Sequence, residues 1–361
     1  MNDDSIIKVN HSRLAEFSKE MLKAAGLEEN GAEIVASSLI EADLMGIDTH
    51  GVMRLPIYCR RLKENMVNPN PEIEFEKLSS ATGMIDGKNG QGQIVGHKAA
   101  EKVIGLAREK GAGFVGVKMS NHFGIAGFYS RKVVKEDQIG MVFSNAPSCV
   151  VPFGGGEPYF GTNPISVGFP TGKNFDIIID MATSRVAMGK IIMAEKNNQQ
   201  IPEDWAIDQN GNPTTNPREA KKGGLLPAAG PKGSALALMV SIFTGVLTGA
   251  KWGKHLRSMF KNFEEPQNFG HFFGAFDIES FIPSAEYYER INSLVDEIKS
   301  VPPAEGFEEV KLPGEIEAEK KKKRIEQGVP LKKEVAGELK KMNKRLKAGI
   351  ELFPDESELW L

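Results

Sequence analysis

Apolar residues recur at helical spacing over three successive stretches at the start of the chain. Residues 12–26 predict a helix, with Ser12 placed to cap its start and Gly26 just past its end. Residues 29–45 predict a second, with Ile34, Val35, Leu39, Ala42 and Leu44 supplying the apolar stripe. A third runs from Met53 to Met66 and stops before the N-P-N-P run at Asn68 to Pro71, the first plausible domain boundary.

Beyond that run the pattern changes to short β-type segments alternating with helices. Strands are predicted at Ile73 to Phe75, Thr82 to Asp86, Phe114 to Met119 and Ile139 to Ser144. Helices are predicted at Val95 to Lys110 and Gly124 to Glu136. Two further strands, Ile165 to Phe169 and Phe175 to Asp180, precede a helix around Val186 to Lys196. The strands between 139 and 180 lack helix-length spacers, so a mixed or antiparallel sheet is expected rather than a purely parallel one. Residues 234–249 read as a buried helix, and 283–300 and 331–348 as amphipathic ones. In the last, Leu331, Val335, Leu339, Met342 and Leu346 make one core stripe. The basic run Lys320 to Arg324, following Glu315, Glu317 and Glu319, reads as a solvated helix face.

Composition narrows the partners. A chain of 361 residues, 40% hydrophobic and 26% charged, has the balance of a soluble globular protein with room for more than one domain. A formal net charge of −3 argues against nucleic acid or an anionic membrane surface as main partner. Two cysteines, Cys59 and Cys149, supply neither a disulfide framework nor a zinc spacing, so no metal is expected. The opening M-N-D-D-S-I-I-K has no signal-peptide pattern, and the longest apolar run, Ala235 to Leu247, is too short to span a bilayer. A cytoplasmic location is therefore expected.

Candidate chemistry gathers at D-L-M-G-I-D-T-H-G-V-M-R-L-P-I-Y, Asp43 to Tyr58. His50, Arg54 and Tyr58 recur every four residues, so a helical path would put them on one face. A proton carrier, a carboxylate-binding fork and a phenol in one line suit a 2-oxo or 2-hydroxy acid, and Thr49 beside His50 is counted with the substrate contacts. Asp48 has two readings, fixing a histidine tautomer or capping the turn.

A dinucleotide fingerprint is not supported. Gly111, Gly113 and Gly116 form a literal G-x-G-x-x-G, but they lead from a helix into a strand, the reverse of what that motif needs. Gly90-Gln-Gly92 is a second near-miss. Four other turns suit phosphates: Ser120 to Gly127, Phe153 to Pro164, Asp180 to Ser184 and Ala229 to Ser234, the last with Lys232 at a helix start. Four such turns in one chain favour a large phosphorylated ligand.

The segments A-D-L-M-G-I-D-T-H-G-V-M-R-L, S-N-H-F-G-I-A-G, G-T-N-P-I-S-V-G-F-P, D-M-A-T-S, I-P-E-D-W-A-I-D, G-P-K-G and N-F-G-H-F-F together resemble the type 2 malate/L-lactate dehydrogenases. That family includes ureidoglycolate dehydrogenase, 2,3-diketogulonate reductase and piperideine-2-carboxylate reductase. The resemblance runs from about residue 10 to about residue 300. It implies an α+β fold: a non-Rossmann NAD(P)-binding domain with a largely antiparallel mixed sheet, plus a helical domain built from both chain ends. Residues 1–75 would form the amino-terminal helical part, 76–235 the sheet domain, and 236–361 returning helical segments. It also implies a homodimer and NAD- or NADP-dependent interconversion of a small 2-hydroxy acid and its 2-oxo acid. The family's His-Gly motif falls on His50, its substrate arginine on Arg54 and its Asn-His turn on His122. The cofactor segments fall on Gly161, Thr162 and Asn163; on Asp180, Met181, Ala182, Thr183 and Ser184; and on Lys232 and Gly233, with His122 also beside the cofactor. G-P-K-G stands where many malate-type members carry G-H-K-G.

Mechanistically, a nicotinamide would deliver hydride to the 2-oxo carbon while a histidine protonates the carbonyl oxygen. His50 and His122 both qualify. His271 is considered for the site but not counted in it, and His97 is read as structural. The alternatives are a reductase of a cyclic imine carboxylate, a ureidoglycolate-type dehydrogenase, and a nucleotide-binding relative without catalysis.

Overall fold

The computed structural model describes residues 6–352; residues 1–5, within the stretch read as free of a signal peptide, and 353–361 lie outside the described residues. The chain opens with β1 (Ile6–Val9), α1 (His11–Ala25), α2 (Glu29–Leu44) and α3 (Leu55–Lys63). The cap of α1 is Asn10 rather than Ser12: its side-chain oxygen accepts Ser12 N–H at 2.9 Å and Arg13 N–H at 3.2 Å. The predicted helix from Met53 begins later. Two 3-10 turns, Asp48–His50 and Val52–Arg54, precede α3, so His50, Arg54 and Tyr58 do not share one continuous helix.

The sheet region follows as β2 (Glu74–Lys77), β3 (Thr82–Asp86), α4 (Gly92–Lys110), β4 (Ala112–Ser120), α5 (Ala126–Val134), β5 (Gln138–Ser144), β6 (Ile165–Phe169), β7 (Ile177–Met181) and α6 (Met188–Lys196). A small unit, β8 (Ala206–Ile207), α7 (Pro217–Ala220) and β9 (Gly224–Leu225), leads to α8 (Pro231–Ser241). After it come β10 (Phe269–Asp277), α9 (Ser284–Lys299), α10 (Glu315–Gln327), β11 (Val329–Lys332) and α11 (Lys333–Leu346).

The main sheet has the order β2-β3-β4-β10-β5-β6-β7. Only the β3–β4 pair, joined by the α4 crossover, is parallel; the others are antiparallel. The fold is α+β with a non-Rossmann mixed sheet, as the strand spacing between 139 and 180 predicts. One expectation is overturned. Residues 269–277 are not part of a returning helical segment but a strand at the middle of the sheet, hydrogen-bonded to β4 and β5. Its F-G-H-F-F-G-A-F-D is covered on both faces, so it lacks the alternation that marks a half-exposed strand.

Helices α4 and α5 bury Val103, Ala107, Tyr129 and Val133 against one face of the sheet, with Val115, Val142 and Phe273. Phe143, Ile165 and Phe272 on the other face meet Val240 of α8. A separate core joins α1, α2 and α3 to the carboxyl end, with Val329, Leu331, Ala336 and Leu339 packed on Leu14, Phe17 and Leu39. The antiparallel pair β1–β11 ties the two chain ends together. Residues 234–249 depart from the buried helix expected there. Leu238, Ile242, Val246 and Leu247 stand 47–61% exposed, and α8 ends in a π-helical turn at Ile242–Val246. Among the described residues no helix is long and apolar enough to cross a membrane.

Candidate active site

Two turns meet where the helical layer packs on the sheet. One follows α2 and carries Thr49, His50 and Arg54; the other joins β4 to α5 and carries His122. The imidazoles of His50 and His122 are stacked, with centroids 5.6 Å apart and planes inclined by 19°. Tyr58, buried on α3, places its hydroxyl 2.7 Å from His122 Nδ1. Burial pushes that phenol up to about 12, so it stays protonated and donates. Gly124 N–H also points at Nδ1, at 3.4 Å. With two donors on Nδ1, the neutral His122 carries its proton on Nε2.

Both imidazoles are held neutral. Burial, then the Arg54 charge, lowers His50 to about 4. Burial, then the neighbouring His50, Arg54 and His271, which disfavour a further positive charge, hold His122 well below the usual range. Two stacked rings cannot both carry charge cheaply, so the pair holds at most one extra proton.

Arg54 is fixed rather than free. Its Nε donates to the Thr49 carbonyl at 2.6 Å, and its guanidinium lies 5.0 Å from the centre of the Phe260 ring. The terminal nitrogens remain for a carboxylate. The loop bearing Phe260 is anchored by the buried Arg61, whose Nη1 donates to the Asn262 carbonyl at 2.8 Å. From the same loop, the Gln267 oxygen accepts His122 N–H at 3.4 Å.

The His50 turn is set from within by Asp43. Its buried carboxylate accepts Val52 N–H at 2.8 Å, and burial pushes it up to about 8. Gly51 passes so close that a Cβ there would stand 1.7 Å from Asp43 Oδ1. Asp48 does not reach a histidine. It pairs with Arg324 of α10, and Thr49 Oγ1, 3.0 Å from His50 Nδ1, is the neighbour that orients that ring.

The segments expected to hold the cofactor also converge. Thr162 C=O accepts the Thr183 N–H at 2.9 Å and its hydroxyl at 3.0 Å, while Thr183 C=O accepts Ala228 N–H at 2.9 Å. This relay joins 161–163, 180–184 and the turn before α8. Beside it opens a cleft of about 460 Å³ lined by Phe153, Gly154, Arg185, Pro227, Ala229 and Gly230. Lys232 is exposed on the first turn of α8, next to Gly233. Met181 and Ala182 are exposed at the end of β7, and Ser184 turns inward to the Val186 carbonyl at 2.9 Å. The cleft's glycine-rich wall and the start of α8 beside it offer backbone N–H groups that fit a phosphate, while Arg185 is paired there with Asp204.

Two of these segment residues are occupied with the fold. The Asn163 amide donates to Ala237 C=O and Ser241 Oγ, each at 2.9 Å, and so holds α8. Asp180 accepts Gly127 N–H at 2.8 Å and caps the first turn of α5, the helix that follows His122. The start of α6 leans over the His50 turn, where a Cβ on Gly189 would be 3.5 Å from Thr49 Cγ2. His271 lies wholly buried in β10 between Ser144 Oγ and Ser120 Oγ, each 2.8 Å away, and stacks on Phe123. It is a core residue. His97, bonded to Lys132 and Glu101, is structural as well.

Sequence reasoning does not single out Asp43, Phe260 or Gln267, and it reads Arg324 as part of a solvated helix face. Asp43 carries a signal, being a carboxylate inside the apolar end of α2. Arg324 instead turns inward, 17% exposed, onto Asp48 and the Asp43 carbonyl. Phe260 and Gln267 come from a distant segment with no local pattern to mark them.

This arrangement, on this fold, defines an NAD(P)-dependent hydroxy-acid dehydrogenase. The chain belongs to the malate/L-lactate dehydrogenase family, whose model matches residues 9–340. It is 41% identical over 332 residues to L-sulfolactate dehydrogenase of Methanocaldococcus jannaschii, covering 92% of this chain and 95% of that one. The solved structure of sulfolactate dehydrogenase from that organism matches with a TM-score of 0.90 at 39% identity, over 96% of this chain and 98% of that one. Malate dehydrogenase from Pyrococcus horikoshii OT3 matches with a TM-score of 0.88 at 36% identity, over 97% of each chain.

Proposed function

We propose that this protein interconverts a small 2-hydroxy acid and its 2-oxo acid, with a second acidic group on the substrate. The stacked pair His50–His122 beside Arg54 carries this reading. When bound, the nicotinamide supplies or removes the hydride at C2. The chain's own groups do the rest. Arg54 anchors the 2-oxo acid's carboxylate through its free terminal nitrogens. One histidine of the pair takes up a proton with the anionic substrate and gives one to the carbonyl oxygen. On His122 the added proton would sit on Nδ1, with the Tyr58 hydroxyl turning to accept it, while the Nε2 proton goes to the substrate and neutral imidazole remains. The named relatives act on malate and sulfolactate, both of which carry a second acid group, and that supports the substrate class.

A second copy of the chain is the proposed partner. The uncovered stripe Leu238, Ile242, Val246 and Leu247 is more apolar than a lone surface helix needs. Light scattering should report a dimer, and a monomer at micromolar concentration would remove that part of the reading.

The deciding experiment follows absorbance of NADH and of NADPH with oxaloacetate, sulfopyruvate, pyruvate, a glyoxylate-type acid and piperideine-2-carboxylate. Turnover of the first two above the others is expected. His50→Ala and His122→Ala should each cut turnover while cofactor binding persists, and two fully active variants would sink the acid–base assignment.

A further inference from the structure

The carboxyl-terminal helix α10 reaches the His50 turn from outside, and Arg324 is the contact. Its guanidinium Nη1 donates both to the backbone carbonyl of Asp43, in the last turn of α2, and to the carboxylate of Asp48. Nη2 lies 3.4 Å from the second Asp48 oxygen. The Asp43 carbonyl, at the helix end, has no i+4 partner but accepts Gly46 N–H at 3.0 Å, so Arg324 takes its second lone pair. A planar fork can serve that carbonyl and a carboxylate together, which an ammonium cannot do as well. The Arg324 side chain is 17% exposed, so the pair is shielded from solvent on one side.

One helical turn earlier on the same face, Lys320 lies over Gly46. A Cβ on Gly46 would come within 2.7 Å of Lys320 Cδ, and its φ of +79° already favours glycine. Thus α10 covers the segment from Asp43 to Asp48 along its length. Inside, the Asp43 carboxylate holds Val52 N–H at 2.8 Å, and Arg54 Nε holds the Thr49 carbonyl at 2.6 Å. The turn carrying His50 and Arg54 is therefore clamped between Asp43 within and Arg324 without. Neither clamp is one of the groups assigned to the substrate.

We infer that Arg324 is a positioning residue for the reaction, setting His50 and Arg54 through Asp48 and the Asp43 carbonyl. The inference rests on the proposed 2-oxo acid reductase activity. It gives the carboxyl-terminal tail a part in the chemistry, because β11 and α10 together bring Arg324 to the turn.

The test compares wild type, Arg324→Ala, Arg324→Lys, Asp48→Asn and the Arg324→Ala/Asp48→Asn double variant, with Lys323→Ala as a control on the same helix. Steady-state turnover of oxaloacetate gives kcat and KM, fluorescence titration gives reduced-cofactor affinity, and thermal melts report folding. Arg324→Ala should lose about tenfold to a hundredfold in kcat, the range a displacement of about 1 Å brings, with cofactor affinity within about twofold of wild type. Millimolar guanidinium should restore part of the loss, Arg324→Lys should fall between, and the double variant should be no worse than the worse single one. Lys323→Ala should match wild type. If Arg324→Ala keeps kcat within about twofold, or loses it only in proportion to the unfolded fraction, the proposal is overturned. Should Arg324→Ala fail to fold, Asp48→Asn decides, and wild-type kcat there overturns the proposal. A wild type that reduces no 2-oxo acid sinks the functional reading along with this one, whereas an active wild type beside an unaffected Arg324→Ala sinks this one alone.

Discussion

Gly51→Ala probes the His50 turn with the smallest possible change. An added Cβ would lie 1.7 Å from Asp43 Oδ1 and 2.5 Å from Oδ2, where ordinary contact begins near 3.4 Å. The φ of Gly51, −83°, lies outside the left-handed region that favours glycine, so the main cost is steric. About 1.7 Å of clearance must therefore come from the neighbours. If the Asp43 carboxylate swings away, Val52 loses its 2.8 Å hydrogen bond and a buried donor is left unpaired, a cost of about 1–3 kcal/mol. If the backbone yields instead, overpacking costs about 1–3 kcal/mol and shifts His50 and Arg54 together. A 1 Å displacement of reacting groups lowers turnover about a hundredfold. Gly51→Ala is thus expected to fold, with a thermal midpoint lowered by several degrees, and to lose about two orders of magnitude in kcat with oxaloacetate. Asp43→Ala makes room, so adding Gly51→Ala to it should cost far less than Gly51→Ala costs alone. A Gly51→Ala enzyme with kcat within about twofold of wild type would refute the reasoning, as would full additivity of the pair.

Other expectations concern neighbouring groups. Tyr58→Phe removes the 2.7 Å donor to His122 Nδ1, so kcat should fall about tenfold with little change in cofactor affinity, as rate and fluorescence measurements would show. Arg54→Lys gives up the Thr49 contact and the stacking on Phe260, and should chiefly raise KM for the 2-oxo acid; an unchanged KM removes the anchor role. His50, at about 4, and His271, at about 3, are both depressed below their usual range. Their share of stability is present above about pH 6.5 and is lost as pH falls through those values, which melts between pH 7 and 4 should show. Asp43 has the opposite sign: raised to about 8, it loses stability for the fold as pH rises from about 4 to 8. Asp43→Asn should therefore gain on the wild type steadily across that window, and a constant difference in thermal midpoint would contradict the assignment.

How much of the fold the chain shows in advance depends on local pattern. Helices α1, α2 and α4 and strands β3 and β6 each have a half-buried face, so their periodicity is plain in the residues. Strand β10 is covered on both sides and carries Gly270 and Gly274 among its phenylalanines, so its place at the sheet centre has no local signature. The paired ends β1 and β11 lie more than 300 residues apart, and nothing in four-residue strands announces such a pairing. For α8 the error ran the other way. An apolar run predicts burial there, while a row of its side chains faces outward. Apolarity says that a residue will be covered, not that its own chain covers it.

The candidate site divides along the same line. The i, i+4 spacing put His50, Arg54 and Tyr58 together for a reason the structure does not keep, since two 3-10 turns interrupt the path. They still meet, because Asp43 and Arg324 fold the turn so that His50 stacks on a ring 72 residues further along the chain. His122 is thus the point where two separately built halves are compared. Its Nδ1 is held by Tyr58 from the helical layer, and its backbone by Gln267 from the loop that leads into β10. Asp180, at the end of an edge strand, fixes the helix that follows it. A site read through one residue with supports on both layers tolerates little sliding between them. This explains why so many polar groups around it, Asp43, Asn163, Asp180 and Arg324 among them, are spent on holding backbone and not on binding ligand. By the same reasoning, substitutions that loosen either layer should lower turnover before they lower cofactor affinity, since hydride transfer needs both halves in register and the segments proposed for the cofactor are tied to one another through Thr162, Thr183 and Ala228 and through Asn163 to α8.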